Sequence, residues 1–134
     1  MNTKETVIER KLSFSEIRIH IMKLGTDYNI VMEGGQSPHV GCTAMAIPRP
    51  SLTGDGTISA TSSVLNVTGH KDEELCRYLA ETVAKRKHGI VVCTGGFHMD
   101  HATPAQIKEV LEIVQDMAEE IVNLHESGNG CTTT

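Results

Sequence analysis

Tryptophan is missing from this sequence, and only two phenylalanines and two tyrosines occur in 134 residues. So few rings exclude the aromatic platform on which single-stranded nucleic acids stack. Basic residues are outnumbered, 12 Lys and Arg against 17 Asp and Glu, and form no stripe, so the formal net charge of −5 argues against any nucleic-acid partner. No apolar run approaches the roughly 20 residues that cross a bilayer, so no membrane partner is expected either. The opening residues MNTKETVIERK lack the apolar centre of a secretory signal, and a cytoplasmic location is the default expectation. The four cysteines, Cys42, Cys76, Cys93 and Cys131, include no C-x-x-C pair. That scatter predicts reduced thiols, two or three of them as small core residues, rather than a disulfide framework or a zinc site.

What is present reads as one globular domain spanning residues 1–134, with an ordered core over about 4–125 and a disordered tail, 126–134. "SEIRIHIMK" alternates strictly, Ile17, Ile19 and Ile21 against Arg18, His20 and Met22, the period of a half-buried strand. "LGTD" turns the chain, and "YNIVMEGG" returns as the second arm of a hairpin. A weaker strand precedes these over Lys4–Leu12. "HVGCTAMAIP" is a further strand, closed by the loop "PRPSLTGDG", and "TISATSSVLNV" resumes β structure. A helix follows in "KDEELCRYLAETVAKRKHG", with Leu75, Cys76, Leu79 and Val83 on one face, acidic residues in its first turn, basic residues in its last, and Gly89 as its stop. "GIVVCTGG" is a short buried strand. The last helix opens on Thr103 as N-cap, with Pro104 in first position and Gln106 completing a capping box. Its core stripe is Ile107, Val110, Leu111, Val114, Met117 or Ala118, and Ile121. The order predicts an α+β fold, a mainly antiparallel sheet with two helices packed on one face.

The chemically unusual residues gather at element junctions. "EGGQSPHVG" holds Gly35, Ser37 and His39; the "PRPSLTGDG" loop holds Arg49; "TGHKD" holds Gly69, His70 and Lys71; and "GGFHMDH" holds Gly96, His98, Asp100 and His101. Glycines admit close approach of a ligand, and strand-to-helix junctions turn backbone N–H groups toward anions. Each group also has a plainer reading, as a turn or a helix cap. His20, His88 and His125 read as surface or turn residues. For "GGFHMDH" the choices are a metal site, an acid–base pair, a cradle for a phosphorylated ligand, or a polar turn. The spacing matches no strong metal motif, and a Ser–His–Asp set drawn from Ser62 or Ser63, His98 and Asp100 lacks a G-x-S-x-G elbow.

Three blocks, "GGQSPHVGCTAMAIPRPSL", "SATSSVLNVTGHKDEELCRYLA" and "VVCTGGFHMDHATPAQI", carry a resemblance to a known family. Together they resemble the LpdD-like prenylated-flavin chaperones, the small D proteins of gallate-type phenolic-acid decarboxylase systems. The resemblance covers roughly Ser15 to Val122. It implies a homodimeric fold similar to proteasome-assembly chaperones, which binds reduced prenylated FMN and delivers it to a UbiD-type decarboxylase without itself catalysing the reaction. Such a ligand fits the junctions. Lys71 or Arg49 is expected to neutralise the flavin phosphate beside the N–H groups near Gly69–Lys71 and Gly96, while His39, His98 and Asp100 bind ribityl hydroxyls or the ring edge. With aromatics scarce, apolar contact falls to Met45, Met99 and Phe97. Two rival readings remain: an accessory subunit held in the decarboxylase complex, and a metal-dependent enzyme using His98, Asp100 and His101.

Overall fold

A computed structural model describes residues 4–67 and 70–124, with the backbone alone at 70–72. The expected disordered tail and Gly69 lie outside the described residues. The elements run β1 (Glu5–Lys11), β2 (Glu16–Leu24), β3 (Asp27–Gly35), β4 (Cys42–Pro50), β5 (Ile58–Asn66), α1 (His70–Lys87), β6 (Val91–His98) and α2 (Pro104–Val122). The six strands form one sheet in the order β1-β2-β3-β6-β4-β5. Every pairing is antiparallel except β3 with β6.

The alternation of β2 places Ile17, Ile19 and Ile21 in the core, beside Ile30 and Met32 of β3, and leaves Arg18 and His20 on the opposite face. Both helices cover the first face. Under α1 the sheet offers small residues, Cys42, Ala44 and Ala46 of β4 and Cys93 of β6, and α1 answers with Leu75, Cys76, Leu79, Ala80, Val83 and Ala84, all buried. Small residues on both sides let helix and sheet approach closely. Helix α2 buries Val110, Val114, Met117, Ala118 and Ile121, and its capping box is formed: the Gln106 N–H donates to Thr103 Oγ1 at 3.1 Å and the Thr103 N–H to Gln106 Oε1 at 2.9 Å. Polar clamps fix α2 to the β1 side of the sheet. The Arg10 guanidinium reaches Asp116 and Glu120, and the Glu109 carboxylate accepts from both the N–H and the hydroxyl of Ser13.

Three local expectations are corrected. Strand β4 runs on through Arg49 to Pro50, so the connecting turn is shorter than "PRPSLTGDG"; Pro48 and Pro50 sit one strand from the sheet edge in a ladder that pairs them with Ala60 and Ile58. Strand β6 extends through Phe97 and His98, because its parallel partner β3 continues to Gly35. The left-handed residue that ends α1 is His88, at φ 59°, rather than Gly89. Gly89 is needed for a different reason: a Cβ there would lie 2.0 Å from the Thr26 carbonyl oxygen.

The uncovered face carries a charge network over β1, β2 and β3. His20 contacts the Glu5 carboxylate through Nδ1 at 2.9 Å and the Glu33 carboxylate through Nε2 at 2.7 Å, and Arg18 contacts Glu9 at 2.8 Å. Only the imidazolium donates to both carboxylates at once. The His20 pKa is accordingly raised, chiefly by its hydrogen bond to Glu33, which outweighs the opposing effect of burial and is reinforced by Glu5. A folded pKa above the unfolded value stabilises the protein fully below about pH 6.5 and loses that contribution as pH rises through the folded pKa. The urea midpoint is therefore expected to fall across that window, and His20→Gln to flatten the decline. Equal pH slopes for parent and variant would contradict the assignment.

Candidate functional site

Because β6 lies between β3 and β4, the chain from Gly35 to Cys42 must span two strand spacings, roughly 10 Å. Residues 36–41 do this as an arch over the C-terminal end of β6. Hydrogen bonds hold the arch down. The Gln36 N–H donates to the His98 carbonyl at 2.7 Å and the Gly41 N–H to the Gly95 carbonyl at 2.9 Å. The Asp100 N–H donates to Gln36 Oε1 at 2.9 Å. Gly35, at φ 82°, permits the crossing, since a Cβ there would lie 2.1 Å from the His98 carbonyl oxygen.

The arch joins two junctions that are far apart in sequence. The rings of His39 and His98 meet edge to face with centroids 6.0 Å apart. His98 Nε2 donates to Asp100 Oδ1 at 2.9 Å, and His39 Nδ1 donates to the Ser37 carbonyl at 3.1 Å. Asp100 and the Ser37 carbonyl accept, so His98 Nε2 and His39 Nδ1 each carry a proton. His98 and Asp100 are largely exposed, and Gly96 is buried between its neighbours in the ladder. On the same uncovered face, Thr43 and Thr94 bring their hydroxyls to 3.3 Å, next to half-exposed Met45.

A third junction arrives at the same end of the sheet. The Val67 N–H donates to the Gly41 carbonyl at 2.8 Å, and α1 begins at His70. Gly69 and the side chains of His70 and Lys71 are outside the described residues, although the backbone of His70 and Lys71 opens the helix. Gly35, Ser37, His39, Gly96, His98 and Asp100 thus gather beside the start of α1.

Arg49 is placed elsewhere. It stands seven residues along β4 from Cys42, roughly 23 Å of strand away, and its guanidinium donates to Thr61 Oγ1 at 2.7 Å and to the Pro50 carbonyl at 3.1 Å. Phe97 also turns away from the site. It points to the helix side, packs edge to face on Phe14 at 6.2 Å, and fills the space left by Gly34. Gln36 is the residue that sequence reading passed over, and its only signal was its place directly after "GG". Beneath the site, Cys42, Cys76 and Cys93 are buried. The hydrogen bond with Cys76 and complete burial push the Cys93 thiol well above its usual range, which makes it a packing group rather than a nucleophile. Among the described residues, no three His, Cys, Asp or Glu side chains are placed to hold a metal ion. His101, left-handed at φ 56° and exposed, follows the pair formed by His98 and Asp100.

Residues 13–126 match the prenylated flavin chaperone LpdD-like domain. The chain belongs to the LpdD-like prenylated flavin chaperone family. Protein LpdD of Lactiplantibacillus plantarum is 28% identical over 102 residues, covering 75% of this chain and 70% of that protein. In three dimensions the fold is similar to a chain in the crystal structure of a novel chaperone complex for yeast 20S proteasome assembly. That likeness has a TM-score of 0.52 at 15% identity and covers 87% of this chain and 94% of the other. It shows the fold alone, and confirms the expected proteasome-assembly-chaperone architecture. Family membership carries a chaperone role and a relation to prenylated flavin. Among the described residues, no helix is long and apolar enough to cross a membrane.

Proposed function

We propose that this LpdD-like protein binds reduced prenylated FMN under the 36–41 arch and hands it to a UbiD-type phenolic-acid decarboxylase, acting as a homodimer without catalysis of its own. The observation that carries the reading is the convergence of Gly35, Ser37 and His39 with Gly96, His98 and Asp100 at the mouth where α1 begins. The donor set suits this ligand. The imidazoles of His39 and His98 can hydrogen-bond the ring edge and ribityl hydroxyls of a reduced flavin. The Thr43 and Thr94 hydroxyls and Met45 offer a partly apolar floor in place of an aromatic stack. The phosphate falls to Gly69, His70 and Lys71, where a helix start favours an anion. Arg49 then has no part within its own chain.

The prenylated ring is used on the decarboxylase; this chain holds, orients and shields the cofactor. Apo-decarboxylase mixed anaerobically with limiting reduced prenylated FMN is expected to gain activity faster when this protein is present, while the protein alone decarboxylates nothing. Decarboxylation by the isolated protein would overturn the reading. So would one tightly held equivalent of divalent metal lost in a His98→Ala/His101→Ala variant, which would favour the metal enzyme.

A further inference from the structure

The uncovered face of the sheet is divided by polarity. On β1, β2 and β3 it carries Glu5, Glu9, Arg18, His20 and Glu33, joined by hydrogen bonds. Next to the arch, β6, β4 and β5 give it Val92, Thr94, Thr43, Met45, Leu65 and Val67, none of them charged. These residues alternate with Cys93, Cys42, Ala44 and Val64, which pack on the helix side. Register sets them in rows. Leu65 stands opposite Thr43 and Thr43 opposite Thr94; one row further from the arch, Met45 stands opposite Val92. Val67 closes the arch end, where its N–H donates to the Gly41 carbonyl.

Leu65 is 77% exposed and Val67 69%, against 45% for Met45. Two apolar side chains thus stand up along β5 beside the lower Thr43 and Thr94, and at that exposure Leu65 adds little to the core. Reduced prenylated FMN is divided in the same way. Its pyrimidine edge is polar, while its dimethylbenzene ring and the prenyl-derived ring, closed across N5 and C6, are apolar. The ribityl chain leaves from N10, on the edge opposite N5. With ribityl and phosphate at the arch and the start of α1, the N5–C6 edge points along β4, away from the arch and toward Met45. Charge complementarity then chooses between the two ways of laying the ring down. The pyrimidine edge faces Asn29 and Glu33, which flank Val31 on β3, and the apolar rings face β5. The uncharged strip measures roughly 10 Å across the strands and 13 Å along them. That is far below the roughly 800 Å² that each side of a stable protein interface buries, and it suits a ring system.

We infer that the prenyl-derived ring seats against Leu65 and Met45, and that Leu65 is the residue by which this protein tells prenylated from unmodified FMN. The dimethylbenzene ring, one step nearer the arch, lies beside Val67. The inference rests on the flavin site proposed above, to which it adds an orientation and a source of selectivity.

Anaerobic titration with reduced prenylated FMN and reduced FMN, side by side, tests it. Leu65→Thr keeps a residue that suits a strand and removes the apolar surface. It is expected to weaken the prenylated form at least about tenfold, as loss of an apolar contact does in a binding pocket, and to change reduced FMN little. Leu65→Val, still apolar, should keep most of the preference. Val7→Thr is the control: Val7 is 44% exposed on the charged half of the same face, and neither affinity should move. Equal losses for the two flavins would put the shared rings on Leu65 and overturn the inference, as would a Leu65→Thr variant that binds both like the parent. A smaller particle for Leu65→Thr than for the parent in light scattering would make Leu65 part of a protein interface and overturn it too. A parent that binds neither flavin removes the proposed function and the inference together. A parent that prefers the prenylated form, with the preference intact in Leu65→Thr, removes the inference alone.

Discussion

Replacing Gly95 by alanine is expected to leave almost no folded protein. Gly95 lies in β6 between β3 and β4, at φ 143°, a conformation that L residues rarely adopt. A Cβ would stand 1.8 Å from the Met32 carbonyl oxygen and 2.8 Å from its carbon. Both are backbone atoms at the centre of the sheet, so relief requires breaking the parallel pairing of β3 with β6. A loss of about 4 kcal/mol or more, the exceptional range for one substitution, is expected from urea unfolding of whatever soluble protein is recovered. Gly54→Ala is the control. At φ 72° in an open turn, with no atom within 4 Å of its Cβ position, it should cost only about 1–2 kcal/mol of backbone strain. Similar midpoints for the two variants would contradict the crowding at Gly95.

The second large effect concerns the ligand. Lys71→Ala is expected to weaken reduced prenylated FMN by roughly tenfold to a hundredfold, the equivalent of about 1.5–3 kcal/mol for a charge-assisted hydrogen bond. The thermal midpoint of the ligand-free protein should barely move, because a helix-start lysine contributes little to stability. His98→Gln should weaken binding less, and with a shallower salt dependence than the loss of a charge. If both variants bind as the parent does, the phosphate and ring are held elsewhere under the arch.

The elements that sequence made legible are those set by local pattern. The alternation of Ile17, Ile19 and Ile21, the Leu75–Val83 stripe and the Thr103–Gln106 cap each depend on residues within a turn or two of one another. The insertion of β6 between β3 and β4 depends on pairing across about 60 residues, and nothing local encodes it. That insertion decides the site: it makes "GQSPHVG" an arch across β6 and carries His98 beneath His39. Arg49 was assigned to a loop because prolines flank it, yet both prolines are accommodated in β4. Phe97 had equal claims on either face until Gly34 opposite it left room on the helix side.

The proposed role requires that this protein bind the reduced, prenylated form of the flavin. Anaerobic titration of the pure protein with FMN, prenylated FMN and the reduced form of each compares all four ligands on one site. The account predicts saturation at one reduced prenylated FMN per protomer and clearly weaker binding of oxidised, unmodified FMN. Equal affinity for all four forms, or binding of none, would contradict it.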